Sequence, residues 1–196
     1  ALIGIPYSYE APLAYVRTNV EGTLNVLQAA LAEDVDLVVQ TSTSEVYGSA
    51  QYVPMDEKHP LQGRSPYSAS KIGADKLCEA FHRSFALPVA TIRPFNTFGP
   101  RQSARAVLPA IISQALTGTQ IELGDTRPKR DFTFVKDTVD GLIRAAENPD
   151  AVGDVINLGT GREISVGNLA TTVLTTLGKQ KPVVSDPSRL RPAASE

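Results

Sequence analysis

Two residues of one predicted helix, Tyr67 and Lys71, have the types and the spacing for proton chemistry. Residues four positions apart lie on one face of a helix, so the phenol and the ammonium group are expected to be neighbours. A nearby positive charge favours the phenolate and lowers the pKa of the tyrosine. Such a phenol can pass a proton to or from an alcohol or sugar hydroxyl. Because many helices carry this pair by chance, a second signal is needed.

The second signal is a run of hydroxyl side chains at residues 41–44, followed by Glu45. The run comes directly after a short apolar segment at residues 37–39, which is typical of a buried parallel strand. In this order, the Thr43 hydroxyl could hold the substrate oxygen that Tyr67 deprotonates. The alternative is a loop whose hydroxyl groups bond only to their own backbone.

An alternation of helices and strands must position these residues. Apolar residues at positions 16, 20, 24, 27 and 31 predict a helix over residues 12–31. The remaining pattern predicts helices at 66–85 (apolar face at positions 72, 77, 80 and 81), 106–116, 138–147 and 165–177, and extended segments at 88–92, 121–123, 132–134 and 155–158. Ser165 is the predicted N-cap of the last helix. Such alternation favours a parallel α/β sheet, in which ligands bind beyond the carboxyl ends of the strands, here residues 41–45 and 93–96.

Composition excludes several classes of function. The 196 residues contain 19 Lys and Arg against 21 Asp and Glu, so a nucleic-acid partner is not expected. With only 2 histidines, a His-rich metal site is excluded, and no metal is predicted. No apolar run approaches the roughly 20 residues that span a bilayer, and no signal peptide is visible, so no membrane partner is predicted. A single cysteine, Cys78, excludes an intrachain disulfide and favours a reducing, cytoplasmic setting.

Six motifs spread over nearly the whole chain belong together: Thr18-Asn19-Val20-Glu21-Gly22-Thr23, Ser44-Glu45-Val46-Tyr47-Gly48, Tyr67-Ser68-Ala69-Ser70-Lys71, Arg93-Pro94-Phe95-Asn96-Thr97-Phe98-Gly99-Pro100, Arg130-Asp131-Phe132-Thr133-Phe134-Val135 and Arg189-Leu190-Arg191-Pro192. In this combination they resemble the extended short-chain dehydrogenase/reductase family, the NAD-dependent sugar epimerases and dehydratases. The resemblance implies a partial Rossmann-like, doubly wound parallel sheet of the α/β class. It also implies that residues 1–100 end an NAD-binding domain. Residues 101–196 would form most of a truncated substrate-binding lobe, with a strand near 154–158 returning to the main sheet.

The resemblance implies a role for each matching position. Tyr67 would be the catalytic base for alcohol oxidation, and Lys71 would bind the nicotinamide ribose and lower the pKa of Tyr67. Thr43 would hydrogen-bond the sugar 4-hydroxyl, and Pro94 would contact the cofactor, NAD or NADP. The nucleotide diphosphate would be held by Asn96, Arg130 and Arg191, and guanidinium groups do suit phosphate oxygens. Without the resemblance, both arginines would be solvated surface charges.

Glu45 and Ser44 decide the subclass. A 4-epimerase only removes and returns hydride at C4, whereas a 4,6-dehydratase must also take the C5 proton and expel the C6 hydroxyl. The resemblance puts Glu45 at the position of the dehydratases' C5 base and Ser44 at that of their acid. Since serine is a poor proton donor, protonated Glu45 could protonate the leaving hydroxyl instead. The alternative for Glu45 is a loop carboxylate bound to backbone N–H groups.

Two longer runs, residues 67–75 and 96–107, narrow the resemblance to the UDP- or GDP-N-acetylglucosamine 4,6-dehydratases of legionaminic acid-type sugar synthesis. An epimerase and a UDP-glucuronate decarboxylase are the alternatives within the family. The resemblance further implies a homodimer through helices near residues 12–31 and 66–85.

A glycine-rich segment, Gly159-Thr160-Gly161, lacks the third glycine of a dinucleotide fingerprint, because Ile164 stands at that position. We interpret the segment as a tight turn. No other segment fits the Gly-rich cofactor loop of the first βαβ unit, so the chain is expected to be an internal fragment that lacks the first βαβ units. The alternative from another class is a non-catalytic nucleotide-sugar-binding fragment.

Overall fold

The structure is a computed structural model that describes residues 1–190, apart from the side chain at position 188. Within this range the helices are α1 (Ile5–Glu10), α2 (Pro12–Tyr15), α3 (Gly22–Ala32), α4 (Pro66–Phe85), α5 (Val107–Thr117), α6 (Val135–Glu147) and α7 (Val166–Thr176). The strands are β1 (Val38–Thr41), β2 (Val89–Pro94), β3 (Asn96–Phe98), β4 (Ile121–Leu123), β5 (Lys129–Phe134), β6 (Val155–Leu158), β7 (Glu163–Ser165) and β8 (Val183–Ser185). A π-helical turn, Val16–Glu21, joins α2 to α3.

A parallel sheet in the order β1-β2-β6 confirms the predicted α/β class. Side chains alternate between the two faces of a strand. Accordingly, Val89 of β2 packs into a cluster with Leu27 of α3 and Phe81 of α4, whereas Ile92 packs into a cluster with Ala145 of α6. Helices therefore cover both faces of the sheet, as in a doubly wound fold.

Helix α4 begins and ends as predicted. Ser65 caps it: the Ser65 side chain accepts from the backbone of Ser68, the Ser68 side chain reaches back to the Ser65 backbone, and Pro66 occupies the first turn. The helix ends at Phe85, and the residue that follows, Ala86, has a left-handed φ of 55°.

The predicted apolar face of α4 is only part of its buried surface: Phe81 is buried, and Leu77 packs against the same cluster. Ala80 is exposed, and Ile72 and Leu77 are only half-buried. The buried face also carries the largely polar set Tyr67, Ser68, Ser70, Lys71, Ala74, Asp75 and Cys78. These side chains can be buried because hydrogen bonds satisfy most of their polar groups.

The helix predicted over residues 12–31 is present, and its predicted apolar face holds in part: Leu27 is buried and Leu24 packs against the same cluster, whereas Val16 and Leu31 are exposed. The π-helical turn holds an extra residue per turn and rotates the side chains that follow. The buried residues before and within this turn are Tyr15 and Asn19, which the apolar pattern did not include. The Asn19 amide bonds to the backbone of Leu2 and to the Ser70 hydroxyl of α4.

Residues beyond β3 contribute both to the main sheet and to two smaller sheets. Strands β3, β5 and β7 form one, and β4 pairs with β8 in the other. Helices α5 and α7 pack through an apolar cluster of Ile111, Ala115, Ile121, Leu123, Leu169, Ala170 and Leu174. Ser165 caps α7 by accepting from Asn168 N, which confirms the predicted N-cap. The sequence pattern missed β3, β7, β8 and α1.

Candidate active site

The hydroxyl run at the end of β1 becomes a short 3₁₀ helix, Ser44–Tyr47. Thr43 caps this turn, and its Oγ1 accepts from Glu45 N at 3.2 Å. Thr43 is buried, whereas Ser44 and Glu45 are half-buried. Because Thr43 accepts from the backbone, its own O–H proton remains available for another acceptor.

The phenol of Tyr67, in the first turn of α4, lies near this hydroxyl. Interaction with the Thr43 side chain lowers the pKa of the phenol, and the charge of Glu45 raises it. Tyr67 is buried, with the Tyr15 ring packed edge-on against it at 6.2 Å between centroids. The fold thus brings together Thr43, Glu45 and Tyr67, from two segments that the sequence predicted to meet.

The acidity of Tyr67 departs from the prediction. Burial raises the pKa of Tyr67 from 10.0 to about 12, the hydrogen bond from Thr43 opposes the rise, and the charge of Glu45 adds to it. Lys71 is not among the leading causes of this shift. That Lys71 lowers the Tyr67 pKa stays a prediction.

Lys71 is held by a backbone contact. Its side chain is buried, and its Nζ donates to the backbone oxygen of Thr41 at 2.7 Å, across from the end of β1. Burial lowers the pKa of Lys71, and the charge of Asp75 one helical turn away opposes that fall. One hydrogen bond leaves two N–H donors of the ammonium group for other acceptors.

The other predicted site residues lie on neighbouring strands. Pro94 ends β2, and Asn96 begins β3 opposite Phe132 of β5; both Pro94 and Asn96 are half-buried. Arg130 lies on β5 opposite Ile164, and its NH1 donates to the backbone oxygen of Lys129 at 2.9 Å. Arg191 lies outside the described residues.

A buried ion pair behind the site was missed by the sequence analysis. Arg93 of β2 contacts Asp75 of α4 through Nε at 3.1 Å and NH2 at 3.0 Å, with both side chains at most 5% exposed. Ser42 donates to the same Asp75 oxygen at 2.8 Å. Burial raises the pKa of Asp75, while Ser42, Arg93 and Lys71 oppose the rise. Two features of the sequence could have indicated this ion pair. Asp75 stands four residues after Lys71, and Arg93 lies in the motif at the end of a predicted strand.

The Gly159-Thr160-Gly161 segment is a tight turn, as interpreted from the sequence. The carboxylate of Asp131 accepts from Thr160 N at 2.8 Å, Gly161 N at 2.7 Å and Thr160 Oγ1 at 2.8 Å. Gly161 has a φ of 71°, which favours glycine. The N–H groups that a phosphate would need are therefore already bonded within the chain.

Residues 1–190 contain no group of three or more His, Cys, Asp or Glu side chains that could hold a metal ion. In the same range, every helix is too short or too polar to cross a bilayer.

Comparison with known proteins places these features in a family. The family model described as GDP-mannose 4,6 dehydratase matches residues 1–194. The low-salt glycan biosynthesis protein Agl12 of Haloferax volcanii is 40% identical over 159 residues, which are 81% of this chain and 50% of that protein. The chain therefore belongs to this family of extended short-chain dehydrogenases/reductases, which confirms the resemblance. It spans about half the length of the curated relatives it matches.

Solved structures agree with this assignment. DesIV, a dTDP-glucose 4,6-dehydratase from Streptomyces venezuelae with NAD bound, is 32% identical and superposes with a TM-score of 0.87 over 95% of this chain and 59% of that one. A UDP-N-acetylglucosamine 4-epimerase from Methanobrevibacter ruminantium is 30% identical, with a TM-score of 0.89 over 98% of this chain and 62% of that one. The fold is thus shared by dehydratases and epimerases.

Proposed function

We propose that the protein is an NAD-dependent nucleotide-sugar 4,6-dehydratase. The observation that carries the proposal is Glu45, half-buried in the same turn as the Thr43 cap and close enough for its charge to act on Tyr67. A 4-epimerase needs no acid–base group there beyond the phenol. A carboxylate beside the phenol supplies the second acid–base group that elimination requires.

Oxidation at C4 falls to Tyr67 and Thr43. The Thr43 hydroxyl would orient the sugar 4-hydroxyl, and Tyr67 would take its proton. With a pKa near 12, Tyr67 is almost entirely protonated at neutral pH and offers little phenolate to accept the sugar proton. This step therefore needs a nearby positive charge that lowers the pKa of Tyr67. NAD, when bound, accepts the C4 hydride and brings the positive charge of its nicotinamide ring.

The residues present fit such a cofactor. Lys71 has N–H donors left for ribose hydroxyls after its bond to Thr41, and its burial keeps it in a fixed place. Pro94, at the end of a central parallel strand, lies where α/β folds bind ligands. We therefore assign Tyr67, Lys71 and Pro94 to the cofactor; NADP is the alternative.

Elimination falls to Glu45. The 4-ketone makes the C5 proton acidic, Glu45 would remove it, and the C6 hydroxyl would leave as water with a proton. Ser44 is a poor acid, so protonated Glu45 is the better donor for the leaving hydroxyl. Hydride then returns to C6 and a proton to C5, which gives a 4-keto-6-deoxy sugar.

The substrate is assigned by the same reasoning. We propose UDP- or GDP-N-acetylglucosamine, with Asn96, Arg130 and Arg191 on the diphosphate. Arginine forks bind phosphate oxygens in pairs, which supports the two guanidinium assignments. A cytoplasmic location stays an expectation from the single cysteine.

The experiment is product analysis with the full-length gene product. UDP- and GDP-N-acetylglucosamine are each incubated with NAD, and the product is expected to be a 4-keto-6-deoxy sugar. Glu45→Gln should lose about 100- to 10,000-fold in elimination, the usual worth of an acid–base group, and should keep C4 oxidation. A C4 epimer that retains its C6 hydroxyl would identify an epimerase, and UDP binding without NAD binding would identify a binding fragment.

A homodimer is the proposed assembly. Apolar side chains lie exposed on α2 and the turn after it, with Leu13 at 60% and Val16 at 50%, and on the end of α4, with Phe85 at 56%. Exposed apolar surface of this kind marks interaction sites. A dimeric mass for wild type, and a monomeric one for the Leu13→Glu and Val16→Glu double variant, are expected by light scattering.

A further inference from the structure

Contacts from outside help to hold the turn that carries Glu45. The 3₁₀ helix Ser44–Tyr47 is one turn long, and the bonds at its two ends, from Val46 N to Thr43 O and from Gly48 N to Glu45 O, both measure 3.4 Å. Such bonds are longer than the usual N–H···O range. By contrast, Gln62 N donates to Val46 O at 2.8 Å from outside the turn. Outside contacts therefore contribute to the position of Glu45.

Tyr47, at the end of the turn, makes side-chain contacts with two strands. It is fully buried; its hydroxyl donates to Asn157 Oδ1 of β6 at 2.7 Å and accepts from Arg93 NH1 of β2 at 3.0 Å. The Arg93 guanidinium also lies over the Tyr47 ring, 5.0 Å from its centroid, a cation–π contact. Burial raises the pKa of Tyr47, so the hydroxyl keeps the proton that it donates.

Arg93 connects this anchor to the helix that carries the phenol. Its guanidinium pairs with Asp75 of α4, two turns after Tyr67 on the buried face. Buried charge-assisted bonds are strong, and networks of them fix geometry more firmly than isolated bonds do. The Glu45 turn and α4 are thus joined through one continuous set of buried contacts.

We propose that Tyr47 is a positioning residue that fixes the Glu45 carboxylate relative to the Tyr67 phenol, a role that rests on the proposed function. The two halves of the reaction use these groups differently. C4 oxidation uses Tyr67 and Thr43, whereas elimination needs Glu45 at C5. A loosened turn therefore slows elimination more than it slows C4 oxidation.

The test is Tyr47→Phe in the full-length gene product, with NAD and whichever of UDP- or GDP-N-acetylglucosamine the wild type converts. In single turnovers in D₂O, C4 oxidation is followed by reduced-nicotinamide absorbance and elimination by the 4-keto-6-deoxy product with deuterium at C5. The variant keeps the ring but removes the hydroxyl. Its ratio of elimination to C4 oxidation is expected to fall by about 10- to 100-fold, as small displacements of a reacting group do.

The chain offers a matched control. Tyr52 loses the same atom in Tyr52→Phe, but its hydroxyl donates to an exposed carboxylate, Asp56, at 2.7 Å. This variant should keep the wild-type ratio. Asn157→Leu removes the acceptor of the Tyr47 hydroxyl, and combining it with Tyr47→Phe should cost little more than Tyr47→Phe alone, because the two residues act as a unit.

Each result decides the matter. Equal slowing of both half-reactions by Tyr47→Phe, or an unchanged ratio, overturns the positioning role while the wild-type product still supports the proposed function. A wild-type product that retains its C6 hydroxyl removes the proposed function and this inference with it. Folding of Tyr47→Phe is checked by its thermal transition. If it does not fold, the ratio of elimination to C4 oxidation is measured on Asn157→Leu instead.

Discussion

The packed face of α4 and the cluster between α5 and α7 are both buried, but they bury different chemistry. The α4 face holds a phenol, an ammonium group and a carboxylate, paired with Arg93 of β2. The α5–α7 cluster holds only apolar side chains, such as Ile111 and Leu174. Burial alone stabilises the second region, whereas the first depends on every polar group finding a partner. The difference teaches that the site region gains a defined geometry from its polar contacts, but that removing one partner should cost much of its stability.

The largest expected loss of stability comes from removing one partner of the ion pair in the polar region. Arg93→Met should destabilise the protein by about 3–5 kcal/mol, because it leaves the Asp75 carboxylate buried without its cation. One oxygen of that carboxylate, Oδ1, already lacks a hydrogen-bond partner within residues 1–190. Urea unfolding of the full-length gene product measures the loss.

The double variant Asp75→Leu with Arg93→Met is the control for this effect. Removing both charges together leaves no uncompensated ion, and such replacements are often neutral or stabilising. We expect the double variant to be more stable than Arg93→Met. A double variant that is less stable than the single one would contradict the account of the ion pair.

The next largest loss of stability is expected from a cavity in the apolar region. Ile111 is fully buried, and Ile111→Ala should cost about 2–5 kcal/mol through lost transfer energy and a cavity. Unlike Arg93→Met, this loss should not depend on pH, because the substitution removes no ionisable group and no partner of one. Urea unfolding at several pH values compares the two variants. A pH-dependent loss for Ile111→Ala would show that the two regions do not differ as described.

A smaller effect concerns the phenol of the polar region. The folded protein should hold the Tyr67 proton up to about pH 12, whereas the unfolded chain releases it near 10.0. Stability should therefore fall as pH rises through this interval, and Tyr67→Phe should remove that part of the fall. Tyrosinate absorbance of the cofactor-free protein, compared with that of Tyr67→Phe, gives the Tyr67 titration directly. A midpoint below 10 would restore the lowered pKa that the sequence predicted.

The contrast between the regions also explains how much could be predicted from the sequence. The bounds of α4 were predictable because capping residues and helical spacing are local signals. The meeting of Thr43 with Tyr67 was predictable because a helix that follows a parallel strand begins at the edge of the sheet where that strand ends, and Tyr67 lies in the first turn of α4. The apolar α5–α7 region needed only periodicity, and its cap Ser165 was found.

The polar region resisted prediction for physical reasons. Asp75 and Arg93 lie on different elements, and nothing local says that their charges pair. Lys71 has a carbonyl of β1 as an alternative to Tyr67, so its direction depends on tertiary structure. The π-helical turn Val16–Glu21 interrupts the regular helix, which no periodic pattern anticipates.

The smallest expected effect concerns a second Arg–Asp ion pair, which has the same chemistry as Arg93–Asp75 but is exposed. Asp140 and Arg144 of α6 form an ion pair of 2.7 Å, one helical turn apart, with side chains 62% and 78% exposed. Arg144→Gln keeps the length and helix propensity of the side chain, and should cost only about 0.3–0.5 kcal/mol. Because solvent and salt screen this pair, the loss should shrink further in high salt, whereas the loss from Arg93→Met should persist. A salt-resistant loss above about 1 kcal/mol for Arg144→Gln would show that burial is not what separates the two Arg–Asp pairs.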